Sequence, residues 1–119
     1  MHELALCRSI SSIALRACNG RRVRQVTIDV GALRQVVAPA LVQCWSFIAA
    51  DTLLAESRLV VNDIPAVIAC QRCGLRTTLR QPFMVCDACD SKEVTVVSGR
   101  EFMVRSIDVE DAPLGDKEK

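Results

Sequence analysis

Two pairs of cysteines carry the plainest chemistry in this 119-residue chain, Cys70-Gln-Arg-Cys73 and Cys86-Asp-Ala-Cys89. Two residues between cysteines let a tight turn aim both sulfurs at one point, and two such turns complete a tetrahedron. Zinc suits that arrangement because its filled d shell imposes no competing geometry; four thiolates also suit iron. Twelve residues separate the pairs, and Gly74, directly after the first, lets the backbone turn sharply. The stretch between them has room for a short hairpin through Arg76–Arg80. Four thiolates leave no open coordination position, so the ion is expected to be structural, one per chain, and not catalytic. Its binding would supply this segment's folding free energy, about 10 kcal/mol or more. Burial or disulfide pairing of the four is the competing reading, and the spacing argues against it.

The chain's single histidine, His2, sits one residue from the first amine. That amine, the first backbone amides and the imidazole can close small chelate rings around one ion, a planar nitrogen set that nickel(II) favours. A histidine at such a position is also commonly solvated and idle, or a surface pH-sensitive group. Glu3 has an equally plain alternative, since an acid in a helix's first turn is favoured by the dipole. Cys7, Cys18 and Cys44 fit small buried hydrophobes.

The elements that must position these residues follow from periodicity. Residues 4–18 read as a helix, with Leu6, Ile10, Ile13, Ala14 and Ala17 on one face and Arg8, Ser12 and Arg16 on another; Asn19 and Gly20 end it. Residues 22–31 switch to period two, Val26, Ile28 and Val30 alternating with Gln25, Thr27 and Asp29. A second helix opens at Pro39, with Leu41, Cys44, Trp45 and Ile48 as its apolar face, and fades near Thr52. Residues 58–64 form another strand. From Ala66 to about Val97 large hydrophobes are scarce, so something besides a side-chain core must hold that segment together. Strand composition returns after Gly99 through Phe102, Val104, Ile107 and Val109, with a slip of apolar phase between Val104 and Ile107 that suggests a bulge or burial on both faces. The expected class is α+β: a small domain of two helices on a three-stranded sheet (1–65 and 98–110), an inserted zinc-ribbon-like minidomain (66–97) and a flexible tail (111–119).

Half the residues are hydrophobic, and 15 basic against 14 acidic side chains leave a net charge of +1 with a pI of 7.6. A nucleic-acid binder would usually show a pI above about 9, and three Phe, one Trp and no Tyr offer little for base stacking. No apolar run approaches the roughly 20 residues that cross a bilayer, and Glu3 argues against a secretory leader. A cytoplasmic protein is expected, in which seven cysteines point to ligation or burial. No pair sits at a helix start in a thioredoxin-like context, which weakens a thiol-redox role, and no catalytic base–nucleophile pair is evident, so an enzyme is not expected. The rival reading is a zinc-ribbon module that docks on nucleic acid or on a protein.

Over residues 1–110 the chain resembles the HypA/HybF family of nickel-hydrogenase maturation proteins. The resemblance rests on the opening Met-His-Glu-Leu, the strand ending Asp-Val-Gly-Ala-Leu, Pro65 before the cysteine segment, both C-x2-C knuckles, and Ser-Gly-Arg-Glu-Phe…Ser-Ile-Asp-Val-Glu near the end. It implies a cytoplasmic nickel carrier, monomeric or weakly dimeric, with an α/β nickel domain and an inserted zinc domain. Nickel would be held by the Met1 amine, the backbone nitrogen and imidazole of His2, and the Glu3 backbone nitrogen; Cys70, Cys73, Cys86 and Cys89 would hold zinc. The implied partners are a HypB-type GTPase and the [NiFe]-hydrogenase large subunit, with urease accessory proteins in some bacteria, and neither nucleic acid nor membrane. Many relatives carry an acid shortly after the first strand's glycine, where this chain has Val37 and Ala38. Some place a histidine after a cysteine pair, allowing a pH-dependent ligand exchange; Gly74 and Asp90 stand there instead.

Overall fold

The fold is that of a computed structural model that describes residues 3–80 and 84–110. It is α+β, with helices α1 (Glu3–Ala17) and α2 (Ala38–Ala49) and strands β1 (Val23–Gly31), β2 (Arg58–Ile64), β3 (Val67–Cys70), β4 (Arg76–Thr78), β5 (Val94–Ser98) and β6 (Phe102–Val109). The strands make two three-stranded sheets, ordered β2-β1-β6 and β4-β3-β5. The chain therefore leaves the first sheet after β2, builds the whole second sheet, and returns at β6. Tertiary contacts divide it into two units: Met1–Asp29, Val36–Asn62 and Met103–Lys119 in the first, Val30–Gln35 and Asp63–Phe102 in the second.

In the first unit α1 and α2 pack on one another. Glu3 in the first turn and Arg16 in the last both complement the α1 dipole. Beyond it, Asn19 (φ 54°) and Gly20 (φ 79°) take left-handed conformations that stop the helix. The buried stripe of α1 is Cys7, Ile10 and Ala14, continued by Cys18. This corrects the expected face: Ile13 is 43% exposed, Ala17 is exposed, and Leu6 is only half-buried. Counting Cys7 and Cys18 as apolar turns the stripe toward them and away from Ile13. In α2, Leu41, Trp45 and Ala49 are buried, and the indole N–H of Trp45 donates to Ser57 Oγ at 2.9 Å. Burying a Leu or Trp-sized side chain contributes about 1.5–3 kcal/mol, so this face, with Leu54 and Leu59, anchors the unit.

On β1, Val23, Val26 and Ile28 are fully buried. Asp29 is buried as well, and its carboxylate accepts from Asn62 on β2 at 3.2 Å and from Arg105 on β6 at 2.9 Å. One acid thus ties all three strands, which is why a charge is tolerated there. On β6, Arg105 and Ser106 are both exposed, so the apolar phase does slip between Val104 and Ile107.

The second unit has a ladder that side-chain size did not announce. β3 is its centre, antiparallel to β4 (Ile68 opposite Thr77) and to β5 (Ile68 opposite Val96), with a bulge at Val67/Ile68. In the stretch with room for a short hairpin, Arg76–Thr78 forms one strand, paired antiparallel with β3. Ile68 is 1% exposed and Ala66 is 2% exposed, a small apolar centre under the sheet. Two glycines shape its far end. A Cβ on Gly31 would lie 2.0 Å from Gly99 O, and one on Gly99 (φ +116°) would lie 2.7 Å from Ala66 Cα. That close crossing is sealed by Gly31 N–H to Glu101 O at 2.7 Å and Leu33 N–H to Gly99 O at 2.8 Å.

Candidate metal centre

Each cysteine pair sits on a turn of the same construction. In the first, Cys70 N–H donates to Leu75 O (2.9 Å) and Gly74 N–H donates back to Cys70 O (3.0 Å). In the second, Cys86 N–H donates to Ser91 O (2.9 Å) and Asp90 N–H donates back to Cys86 O (2.9 Å). The fifth residue of each turn is left-handed, Gly74 at φ 78° and Asp90 at φ 59°. Reversing the chain this tightly points the next backbone N–H groups at the leading sulfur. Arg72 and Cys73 N–H face Cys70 Sγ, and Ala88 N–H faces Cys86 Sγ, each at 3.4 Å. The two N–H groups on Cys70 Sγ stabilise its thiolate over its thiol.

The four sulfurs lie within 4.8 Å of one another. Across the turns, Cys70 Sγ is 3.6 Å from Cys89 Sγ, and Cys73 Sγ is 3.6 Å from Cys86 Sγ. A tetrahedron with metal–sulfur bonds of about 2.3 Å has edges of about 3.8 Å. Donor type, number and separation therefore all fit a four-thiolate metal site, and no fifth donor is needed. Cys70 and Cys86 are buried, whereas Cys73 and Cys89 are exposed, so each turn offers one inner and one outer ligand.

The electrostatics point the same way. The Cys73 backbone N–H, aided by that of Arg72 and opposed by burial, holds the Cys70 thiol down to about 6. At Cys89 the Ser91 N–H pulls downward, but Cys70, burial and the other two sulfurs outweigh it and push the thiol up to about 11. At Cys73 the Leu75 N–H lowers, and the Cys86 sulfur, burial and Cys70 together raise the thiol above its ordinary value. One negative charge among four adjacent sulfurs resists the next. A dication removes that repulsion, and a coordinating thiol is deprotonated outright.

Supporting residues that the spacing did not reveal are Thr77 and Ser91. Both are buried; Thr77 Oγ1 accepts from Asp87 N–H at 3.4 Å, and Ser91 Oγ accepts from Glu93 N–H at 3.1 Å. They brace the second turn, and Gln71 N–H to Glu93 O (2.8 Å) joins the first turn to the strand leading into β5. A signal was present only in retrospect: small hydroxyl residues stand just after β4's start and just after the second cysteine pair.

Of the expected nickel ligands, Met1 and His2 lie outside the described residues, as does the 111–119 tail. Glu3 is the first residue of α1, half-buried, and its carboxylate Oε2 faces the backbone N–H of Val37 at 3.5 Å, at the start of α2. Cys7 lies one turn on from Glu3. Its Sγ donates to Leu41 O at 3.3 Å, and burial, then Cys44 and Glu3, push its thiol up to about 11. Cys7 and Cys18 are core residues, and among the described residues the four-sulfur cluster is the one grouping with metal-site geometry.

A family model described as "Hydrogenase/urease nickel incorporation, metallochaperone, hypA" matches residues 1–109. Hydrogenase maturation factor HypA of Geobacter metallireducens is 37% identical over 110 residues, 92% of this chain and 100% of that protein. The same factor of Crocosphaera subtropica is 33% identical over 111 residues, 93% of this chain and 97% of the other. The solution structure of the Ni metallochaperone HypA from Helicobacter pylori shares the fold at a TM-score of 0.64 and 19% identity, covering 92% of this chain and 97% of that one. Among the described residues no helix is long and apolar enough to cross a membrane.

Proposed function

The chain belongs to the HypA family of hydrogenase maturation factors and nickel metallochaperones, and from that premise we propose that it carries one nickel(II) ion at its N-terminus for delivery to a [NiFe]-hydrogenase. The donors are the Met1 amine, the backbone nitrogen and imidazole of His2, and the backbone nitrogen of Glu3. The observation that carries this reading is the place of Glu3 in the first turn of α1. A helix's first four N–H groups have no intrahelical acceptor, so a metal can take the Glu3 nitrogen without breaking a helical hydrogen bond. The Glu3 carboxylate meanwhile faces the Val37 N–H, which suits a backbone role for this residue. Val37 itself, 57% exposed, brings no acid to the site.

The resident ion is zinc, held by Cys70, Cys73, Cys86 and Cys89 in a closed tetrahedral site. It supplies folding free energy to the second unit and performs no chemistry. The two sites divide labour by construction. A chain end with one side chain and backbone nitrogen can release its donors one at a time, as delivery requires. Four sulfurs on two hydrogen-bonded turns cannot. The protein is a cytoplasmic carrier and not a catalyst, and it passes nickel to the hydrogenase large subunit, and to urease accessory proteins where those are present, alongside a HypB-type GTPase. That GTPase docks near Met1–Glu3, because transfer brings donor and acceptor ligands together.

Nickel titration of untagged, zinc-loaded protein tests this reading. Wild type should bind one nickel with the spectrum of a planar nitrogen complex. His2→Ala, or a single residue added before Met1, should abolish that binding while zinc content and fold persist. A mild chelator should strip nickel and leave zinc. Unchanged nickel affinity in both variants would place the site elsewhere, and zinc leaving first would reverse the assignment of roles.

A further inference from the structure

The second unit carries a cavity of about 490 Å³ lined by Leu33, Arg34, Gln35, Met84 and Arg100. That volume falls in the range of small-ligand pockets, about 300–1,000 Å³. Its composition is unusual for a carrier of cations, because two arginines, Arg34 and Arg100, line it. Arg34 is anchored: its Nε–H donates to Arg100 O at 2.7 Å, across 66 residues of sequence. The short turn that presents it, Ala32–Arg34, is fixed by Leu33 N–H on Gly99 O and closes on Gln35 at φ 56°. Anchoring through Nε leaves both terminal amino groups of Arg34 free.

Neither arginine has a carboxylate partner among the described residues, where the ion pairs are Arg22–Glu110 and Arg105–Asp29. The adjacent acid, Glu101, is committed elsewhere, accepting from Gly99 N–H at 2.8 Å. Two like charges facing one cavity repel, and an anion placed between them removes the repulsion and gains charge-assisted hydrogen bonds.

The remaining donors choose the anion. Tetrahedral phosphates are cradled by runs of free backbone N–H groups. Here Gly31, Leu33, Gln35 and Gly99 have all given theirs to other acceptors. Among the lining side chains the charged donors are the two guanidinium groups, and a guanidinium matches a planar carboxylate two bonds at a time. Leu33 and Met84 supply an apolar flank, which suits the aliphatic stem and neighbour of an acidic side chain. We propose that this cavity is a docking site for an acidic segment of a partner polypeptide, with a carboxylate between Arg34 and Arg100 and an aliphatic side chain against Leu33 and Met84. The proposal is independent of where nickel binds.

The test uses full-length, zinc-loaded, 15N-labelled protein and three probes: the blocked peptide Leu-Glu-Asp-Leu, its amide counterpart Leu-Gln-Asn-Leu, and inorganic phosphate. The acidic peptide should shift the amide resonances of Leu33–Gln35 and Arg100, and its affinity should fall with added salt. Arg100→Gln, whose side chain makes no hydrogen bond among the described residues, should keep a native spectrum and weaken binding about tenfold, as loss of one bidentate charged pair does. Arg34→Lys keeps the charge but loses the fork and should weaken it several-fold. Equal binding of the amide peptide, phosphate binding more tightly than the peptide, shifts confined to other residues, or an indifferent Arg100→Gln would each overturn the proposal, as would no shift at millimolar peptide.

Discussion

The two cysteine turns place different residues, Gly74 and Asp90, at the same left-handed position, and that difference yields a prediction with a magnitude. Gly74 and Asp90 both follow a cysteine pair, both are left-handed, and both donate to the carbonyl of the leading cysteine. A Cβ on Gly74 would meet nothing within 4 Å, so Gly74→Ala changes backbone energy and not packing. An L-residue in this conformation costs about 1–2 kcal/mol. Restricting the unfolded chain returns about 0.4–1 kcal/mol. The net is a destabilisation of about 1 kcal/mol. Because metal binding and folding of the segment are one event, it should appear as about a fivefold weaker zinc affinity. Asp90→Gly relieves less strain, since Asp tolerates this region, and gives up the same unfolded-state restriction. Its zinc affinity should stay within about twofold of wild type. Asp90→Val, which cannot adopt the conformation cheaply, should lose more than Gly74→Ala. Zinc affinities come from competition with a chromophoric chelator at fixed pH. If Gly74→Ala were neutral while Asp90→Gly weakened zinc severalfold, the two turns would not be equivalent, and Asp90 would act through its carboxylate and not its backbone.

Three other outcomes follow from the same geometry. Cys73→Ser removes one of the two exposed sulfurs of the proposed zinc site and should collapse the second unit. The emission of Trp45, the chain's single tryptophan and a core residue of the first unit, should stay native, whereas a shift to the unfolded spectrum would mean that the units fold as one. Asp29→Ala should cost about 1–3 kcal/mol in denaturant titration, because Asn62 and Arg105 lose a buried acceptor. Arg105→Gln, at a side chain 61% exposed, should cost under about 1 kcal/mol, and equal losses would mean that the ion pair and not the buried acceptor matters. Cys7 has a thiol raised from 9 to about 11 in the folded state. Above pH 9 the unfolded chain gives up its proton first, so this contribution to stability is full below 9 and is lost as pH rises through 11. Melting temperatures of wild type and Cys7→Ala across pH 8–11 should differ in slope, and parallel curves would remove the thiol from the account.

Much of the site was legible because tetrahedral thiolate ligation leaves a mark in spacing. Two residues between sulfurs is a geometric requirement, so Cys70, Cys73, Cys86 and Cys89 could be grouped without knowing any strand. The second sheet was not legible for the complementary reason. Scarcity of large side chains in 66–97 was read as absence of a core, yet β3, β4 and β5 are held by backbone ladders that small residues such as Ala69, Thr77 and Thr95 do not advertise. The face of α1 was misphased because Leu6, Ile13 and Ala17 were set on it with Ile10 and Ala14, whereas Cys7 and Cys18, expected as small buried hydrophobes, complete the buried stripe. At Val104–Ile107 the broken alternation was itself the signal, and Arg105, freed from the expected phase, reaches the buried Asp29.

That last pairing bears on how a carrier of this size stays folded while its cargo site is taken apart. Nickel held, as proposed, by donors from residues 1–3 would require those residues to change partners at each transfer. The cost of that change must not reach the core. Three features next to Glu3 keep it local. The α1 stripe begins a turn later, at Cys7, whose sulfur is tied to Leu41 O on α2. Val37, which faces the Glu3 carboxylate, has its carbonyl taken by Leu41 N–H within α2, so releasing Glu3 leaves α2's own hydrogen bonds intact. The strand sheet is locked separately by Asp29, Asn62 and Arg105. Stability is thus concentrated in buried side chains beyond the first turn, and the hydrogen bond that the Glu3 carboxylate accepts from Val37 N–H is 3.5 Å long. A bond that long contributes little, which is the energetic condition for a donor site that would have to open repeatedly without unfolding its protein.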